Sequence, residues 1–454
     1  MHILKFELQI LLLLSVSIAG PVFADPPGRE EVIDPVLQPG IVTEITEITE
    51  ITEITEITER PAPALPTIEW DRRSPVKASI GVLGFHNDNL FISGGEPQAD
   101  FVFQIRPAIW FESSERRDLR RHYLKAGYDP KIIRYADFDQ LNTENDQFQL
   151  RYQFLGSRVS ASFYHRDVEL SGSVQPLESG DDPAAAQEEQ ALEDEQAQQD
   201  LNDVERELGR RVGGSGQNSY AVLQYQFSDK AFFRPAARRH FRDFGGASPG
   251  EMEEIWVEGF LHRAITDHIR LAAGPRFGQV NFSESFDQNY TQALLRGYFT
   301  PSDKLIIDGW AGVDFREFDS GNSDLSTPVF LGRIRWKPSD MTEFSLEGFR
   351  NERASVLGDA IDSTGVRCRY RQRLPGDWEY SFAGGYTESE FSETTPVAGG
   401  VRREDQFSFL RNTLSYRVSD RGWIRVFHEF RENTSNRSAG FERNLTGFLL
   451  DFQF

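Results

Sequence analysis

The last ten residues, Leu445 to Phe454, read LTGFLLDFQF, and every second position back from the end is bulky and apolar: Phe448, Leu450, Phe452 and Phe454. Alternation with a period of two belongs to a strand with one apolar face and one mostly wet face. From about Pro75 onward the chain repeats this pattern in segments of roughly 10 to 15 residues, about eighteen of them, separated by turn signals. Tight turns fall at every second connection: Leu155-Gly156-Ser157, Ser228-Asp229-Lys230, Thr266-Asp267-His268, Pro301 to Lys304, Lys337 to Asp340, Leu374 to Asp377, and Val418 to Gly422. Asp, Gly, Pro and Ser favour such reversals for separate backbone reasons. The intervening connections are longer: Asn87 to Gln98, Ser173 to Gly216, Phe244 to Glu251, Ser320 to Ser326, Ser392 to Glu404, and Thr434 to Gly440. Tight turns at one rim and long loops at the other, with an even strand count, predict an all-β chain. It is a transmembrane antiparallel barrel of about 18 strands, closed by the C-terminal strand that ends at Phe454.

No segment after the first residues approaches 18 consecutive apolar positions, which excludes an α-helical membrane protein. The 39% apolar content has the look of a water-soluble chain, but half of each strand in a wide barrel also faces water. At the front, Lys5, the apolar run Ile10 to Ala19 and the small residues Val22 and Ala24 predict a signal peptide over 1–24. Residues 25–74 read as an acidic periplasmic leader. Its Thr43 to Glu59 stretch repeats Thr-Glu-Ile with a period that gathers isoleucine on neither a strand face nor a helix face. Residues 75–454 are then the barrel, interrupted at 173–216 by an acidic, Gln-rich loop insertion.

The net charge of -22 is unevenly spread. Residues 25–66 hold about 10 acids and 2 bases, and residues 173–211 about 12 acids and 3 bases, so the rest of the chain is nearly balanced. Nucleic acid is therefore not an expected partner. Several strands divide into two faces. Leu305, Ile307, Gly309, Ala311 and Val313 oppose Asp308, Asp314 and Arg316; Phe330, Ile334 and Trp336 oppose Arg333 and Arg335; Val366, Cys368 and Tyr370 oppose Arg367, Arg369 and Arg371. A midplane Arg on the lipid face costs about 2–4 kcal/mol, so the charged set must line the lumen. The expected lumen residues are Arg276, Arg333, Arg335, Arg367, Arg369, Arg371, Arg411, Arg425, Asp308, Asp314 and Glu347, with Glu429 among the acids. They either brace a charge-balanced wall or form a ladder whose planar guanidiniums guide an anionic solute.

Signs of catalysis are weak. The histidines after the leader are scattered, with no Gly-x-Ser-x-Gly, no His-Glu-x-x-His and no Gly-rich phosphate loop. His86-Asn87-Asp88-Asn89 carries oxygen ligands but reads better as a loop turn. No cofactor, metal or catalytic residue is expected.

The closing strand is similar to the C-terminal signature of bacterial outer-membrane barrels. The stretch Ala78 to Phe91, followed by Ala99-Asp100-Phe101 and Arg106-Pro107, resembles the opening hairpin of the β-barrel porin 2 family. That resemblance spans residues 77–454; the repeat leader and the 173–216 insertion lie outside the family pattern. It implies a large barrel in the Gram-negative outer membrane, often associated with exopolysaccharide production; the even strand count, with the leader on the inside, puts both termini in the periplasm. The expected partners are outer-membrane lipid and lipopolysaccharide, the barrel assembly machinery, and an anionic saccharide or periplasmic export components. The reading is a non-enzymatic channel for polar or anionic saccharides. The alternatives are a plugged structural barrel that docks a partner through its leader, and a hydrolase at the rim.

Overall fold

The alternating segments all become strands in the computed structural model, each pairing antiparallel with its sequence neighbours. The structure describes residues 75–113, 121–170, 213–244, 250–283, 285–319, 324–355, 360–392, 402–437 and 440–454. The expected signal peptide over 1–24, the expected leader over 25–74 and most of the expected 173–216 insertion lie outside these. Gly214 to Gly216, placed in the insertion from the sequence, belong to a strand instead.

The wall runs through β1 (Val76–Asn87), β2 (Asp100–Glu112), β3 (His122–Tyr128 and Lys131–Tyr135), β4 (Thr143–Asn145 and Gln147–Leu155), β5 (Val159–Leu170) and β6 (Gly214–Ser228). It continues through β7 (Ala231–Asp243), β8 (Glu251–Ala264), β9 (Ile269–Phe282), β10 (Gln288–Ser302), β11 (Leu305–Phe318) and β12 (Leu325–Ser339). The last six are β13 (Thr342–Ala354), β14 (Ala360–Leu374), β15 (Trp378–Ser392), β16 (Glu404–Ser419), β17 (Gly422–Ser435) and β18 (Phe441–Gln453). This is a closed 18-strand barrel, as the alternation predicts. Closure is made by β1 and β18, in register from Ser79 opposite Gln453 to Asn87 opposite Leu445. Closure leaves no open edge, which a wall in lipid requires because no water is there to satisfy one.

Each of β3 and β4 is broken once, where Asp129-Pro130 faces Asp146. Proline has no N–H to give the ladder. The register is unchanged across the break, with Ile105 opposite Ile132 on one side and Ile109 opposite Tyr128 on the other. Both breaks therefore sit within single wall strands.

The short turns share one rim with Pro75 and Phe454; there the Phe454 amide donates to the Ala78 carbonyl at 2.8 Å. Outward-facing positions form an apolar band, including Leu295, Val257, Leu261, Phe277, Ile334, Leu346 and Val366, all exposed. Near the short-turn rim this band becomes aromatic: Tyr225, Phe227, Trp336 and Trp378, with Trp378 packed on Tyr416 at 4.7 Å between ring centroids. Toward the long-loop rim it turns charged, as in the outward pairs Arg239–Glu253 (2.7 Å) and Arg350–Asp362 (2.6 Å). An apolar belt between an aromatic girdle and a charged rim is how a transmembrane barrel meets lipid. Phe448, Leu450 and Phe452 of the closing strand take part in that outer face, in register with Gly84, Val82 and Ile80.

Candidate functional site

Directly opposed residues of paired strands lie on the same side of the wall, so the register can be followed from strand to strand. Gln292 lies opposite both Arg276 and Asp314, Asp308 opposite Arg333, Arg333 opposite Glu347, Glu347 opposite Arg367, and Arg411 opposite both Ala383 and Glu429. Arg335 and Arg369 both face Ser345, Arg371 faces Ser381, and Arg425 faces Ser415 and Leu449. By register Arg276, Arg333, Arg335, Arg367, Arg369, Arg371, Arg411, Arg425, Asp308, Asp314 and Glu347 share one side of the wall, opposite to the exposed apolar band. Phe454 follows the last strand and leaves its ring exposed at the rim.

One motif recurs on this face: a carboxylate held between two guanidiniums. Glu258 accepts from Arg276 at 2.7 and 2.9 Å and from Arg296 at 3.0 Å. Asp308 accepts from Arg333 at 2.8 Å and from Arg335 at 3.4 Å. Glu429, fully buried, lies between Arg411 (3.7 Å) and Arg431. Each such group carries one net positive charge. The opposite arrangement occurs once among these pairs, where Arg316 is shared by Asp314 at 3.5 Å and Glu352 at 3.9 Å. Neutral side chains link the groups: Arg276 also donates to Gln292 (3.2 Å), and Gln292 donates to Asp314 (2.6 Å). Arg367 pairs with Glu347 at 3.4 Å and Arg371 with Glu379 at 2.9 Å.

The guanidiniums are also seated on rings. Arg296 lies 3.6 Å over Phe260, Arg367 4.4 Å over Phe349, Arg276 4.7 Å over Trp256, Arg316 4.9 Å over Tyr290 and Arg411 5.3 Å over Phe427. A ring face attracts a cation and limits its rotamers. These arginines are fixed charges rather than loose tethers, so the field on this face is preformed.

The inner face is not uniform. Over β1–β3 and β16–β18 it also carries an apolar cluster, with Leu83, Phe85, Val102, Ile133, Tyr135, Phe427 and Leu445 buried together. The connection between β1 and β2 folds inward onto it, burying Leu90 and Ile92 and packing Phe91 edge-on against Phe138 at 5.2 Å. Asp88 clamps this loop by accepting from the Asn444 amide (2.6 Å) and side chain (2.8 Å), while Asn89 donates to the Glu442 carbonyl (2.9 Å). The Asn-Asp-Asn stretch is thus a loop clamp, and among the described residues no group of three or more His, Cys, Asp or Glu could hold a metal ion. Ile92 sits at φ 58°, an unusual conformation for a β-branched residue. That strain costs roughly 1–3 kcal/mol, and burying its side chain offsets about 1.5–3 kcal/mol.

Sequence reasoning missed this inward loop, although three consecutive apolar residues in a connection, Leu90-Phe91-Ile92, are a signal of one. It also missed Glu258, Arg296, Arg431 and the run of β7 bases, which period-two counting through FRPAARRHFRD would have split into inner and outer sets.

A closed wall with an apolar outside and a charged inside defines a transmembrane β-barrel. No family model matches the chain, and no curated protein matches it. Among solved structures it is similar to Pseudomonas aeruginosa OpdQ, at 9% identity and a TM-score of 0.45, over 84% of this chain and 99% of that one. It is similar to P. aeruginosa OccK2 (OpdF) in complex with glucuronate, at 11% identity and a TM-score of 0.44, over 84% and 98%. Acinetobacter baumannii OccAB4 gives 9% identity and a TM-score of 0.43, over 84% and 99%.

Proposed function

We propose that the chain is a non-enzymatic outer-membrane channel that passes polar, anionic solutes, with acidic saccharides as the class its inner face suits. The observation that carries this reading is the repeated Arg–carboxylate–Arg group, which gives the inner wall at Glu258, Asp308 and Glu429 a local excess of fixed positive charge. Barrels of 16 to 18 strands are wide enough for an aqueous path, and planar guanidiniums bind carboxylate, sulfate or phosphate in pairs. In this reading the short-turn rim, with both ends of the barrel wall, faces the periplasm. Lipopolysaccharide meets the charged outer rim, and the assembly machinery reads the closing strand. A role in exopolysaccharide export, with periplasmic components docked to the leader, is the narrower version; only the resemblance of Ala78 to Phe91 speaks for it.

A plugged structural barrel is the second reading, favoured by the β1–β2 loop packed onto the inner face. Single-channel recording of the refolded chain in a planar bilayer separates the two. Conductance steps with an anion-selective reversal potential support the channel. A demonstrably folded barrel without steps refutes it and leaves the plugged form.

A further inference from the structure

We propose that His262 on β8 and Arg296 on β10 form a carboxylate seat in the inner wall, just inside the short-turn rim. His262 stands two residues from the end of its strand and is 9% exposed. Its ring stacks on Phe232, directly opposite on β7, with centroids 4.3 Å apart and planes 10° from parallel. Its Nε2 is buried and has no hydrogen-bond partner among the described residues. His122, His165 and His428 differ, since each meets a hydroxyl at 2.8 Å. A buried polar atom left without a partner is costly and uncommon.

The neighbours say what kind of partner fits. Across the sheet His262 faces Ala272, and Ala272 faces Arg296. Two strand spacings, about 10 Å, separate the two backbones, with only the alanine methyl between them. Both side chains rest against Phe260: the Arg296 guanidinium lies 3.6 Å over its ring, and the His262 ring is 6.3 Å away. Arg296 donates through Nη2 to both oxygens of Glu258, at 3.1 and 3.0 Å. Its Nε is buried and, like His262 Nε2, has no partner among the described residues. The charged groups that act on the histidine ring are three guanidiniums, Arg234, Arg296 and Arg270, so the site favours an anion over a second cation. Arg296 Nε always carries a proton, and a neutral imidazole can place its own on Nε2. A carboxylate over Ala272 then accepts from both, through hydrogen bonds of about 2.9 Å. Glu258 holds the guanidinium and Phe232 holds the ring, so the donors are set before the anion arrives. The role of the seat in transport, holding an acidic sugar at one mouth of the lumen, rests on the channel reading; its existence does not, and it is tested without current.

The test is ring-nitrogen NMR on the refolded full chain labelled at histidine, with glucuronate as the probe and glucose as its uncharged control. His262 is assigned by the loss of its signal in His262→Phe, or in His262→Gln if the first variant does not fold. The expected result is a ring protonated at Nε2, whose Nε2 resonance shifts saturably with glucuronate and not with glucose. Arg296→Gln then raises the half-saturating concentration at least tenfold. An Nε2 signal indifferent to glucuronate in the wild-type barrel overturns the proposal, and so does a ring that stays protonated at Nδ1 with glucuronate present; these two readings decide the matter even if Arg296→Gln does not fold. An equal response to glucose overturns it by removing charge from the recognition, and an undiminished response in Arg296→Gln by removing Arg296 from the seat. Glucuronate binding in a folded barrel that conducts nothing would refute the channel and keep the seat. Anion-selective conductance with a silent His262 would do the reverse.

Discussion

Gly332 offers a clean measurement of which side of the wall meets lipid. It lies on the outward face of β12, midway between Trp336 at the aromatic girdle and Pro328 toward the long loops. Four residues of strand rise about 13 Å, and a tilt near 40° leaves about 10 Å along the membrane normal. That places Gly332 close to the centre of an apolar band about 25 Å tall. A Cβ added there meets no heavy atom within 4 Å, so a side chain enters without steric cost and the substitution reports on solvent alone. Gly332→Leu should leave stability unchanged or slightly raised, whereas Gly332→Arg should lose about 2–4 kcal/mol. That is roughly a 30- to 900-fold change in the folded-to-unfolded ratio. The assay is reversible guanidinium unfolding of the barrel in phospholipid vesicles, followed by tryptophan fluorescence. If the Arg and Leu variants unfold within about 0.5 kcal/mol of each other, the face that holds Phe330, Ile334 and Trp336 does not face lipid, and the assignment of the inner arginines fails with it.

Three further outcomes follow from the same geometry. Leu90→Asp should free the β1–β2 loop from the inner face, because a carboxylate cannot stay in that apolar cluster. Single-channel conductance should then rise; a conductance equal to the wild type would mean that the loop does not narrow the path. Glu258→Gln removes the shared partner of Arg276 and Arg296. Breaking a fully buried pair costs about 3–5 kcal/mol, but these arginines keep 21% and 24% side-chain exposure, so screening should reduce the loss to about 1–3 kcal/mol. The reversal potential should move toward stronger anion preference, and a move toward cations would contradict the ladder. Deleting Phe454, whose ring is 72% exposed, should change the stability of refolded barrel by no more than about 0.5 kcal/mol while lowering assembled barrel in cells. Equal losses in both would make the residue structural rather than a signal.

What the sequence made legible, and what it hid, divides along one physical line. Period-two alternation is a local property, so Ile307 against Asp308 and Ile334 against Arg333 could be assigned to opposite faces before any pairing was known. Strand number followed from turn chemistry, which is also local. Pairing across strands is not local. Nothing near Glu258 in the sequence announces Arg276 and Arg296 as its partners; they come from β9 and β10, and only the register brings them to one carboxylate. The inward loop was hidden for the same reason. Leu90 and Ile92 look like misplaced apolar residues in a connection until Leu445, more than three hundred residues later, closes the barrel beside β1 and completes the surface they pack on. The same long-range closure sets an apolar cluster where the first and last strands meet, on the same face that carries the Arg–carboxylate–Arg groups of β8 to β12 and of β16 and β17. The inner face therefore combines a fixed array of guanidiniums with a loop braced on the apolar cluster. In the proposed channel, charge would select what enters and the space beside that loop would limit its size.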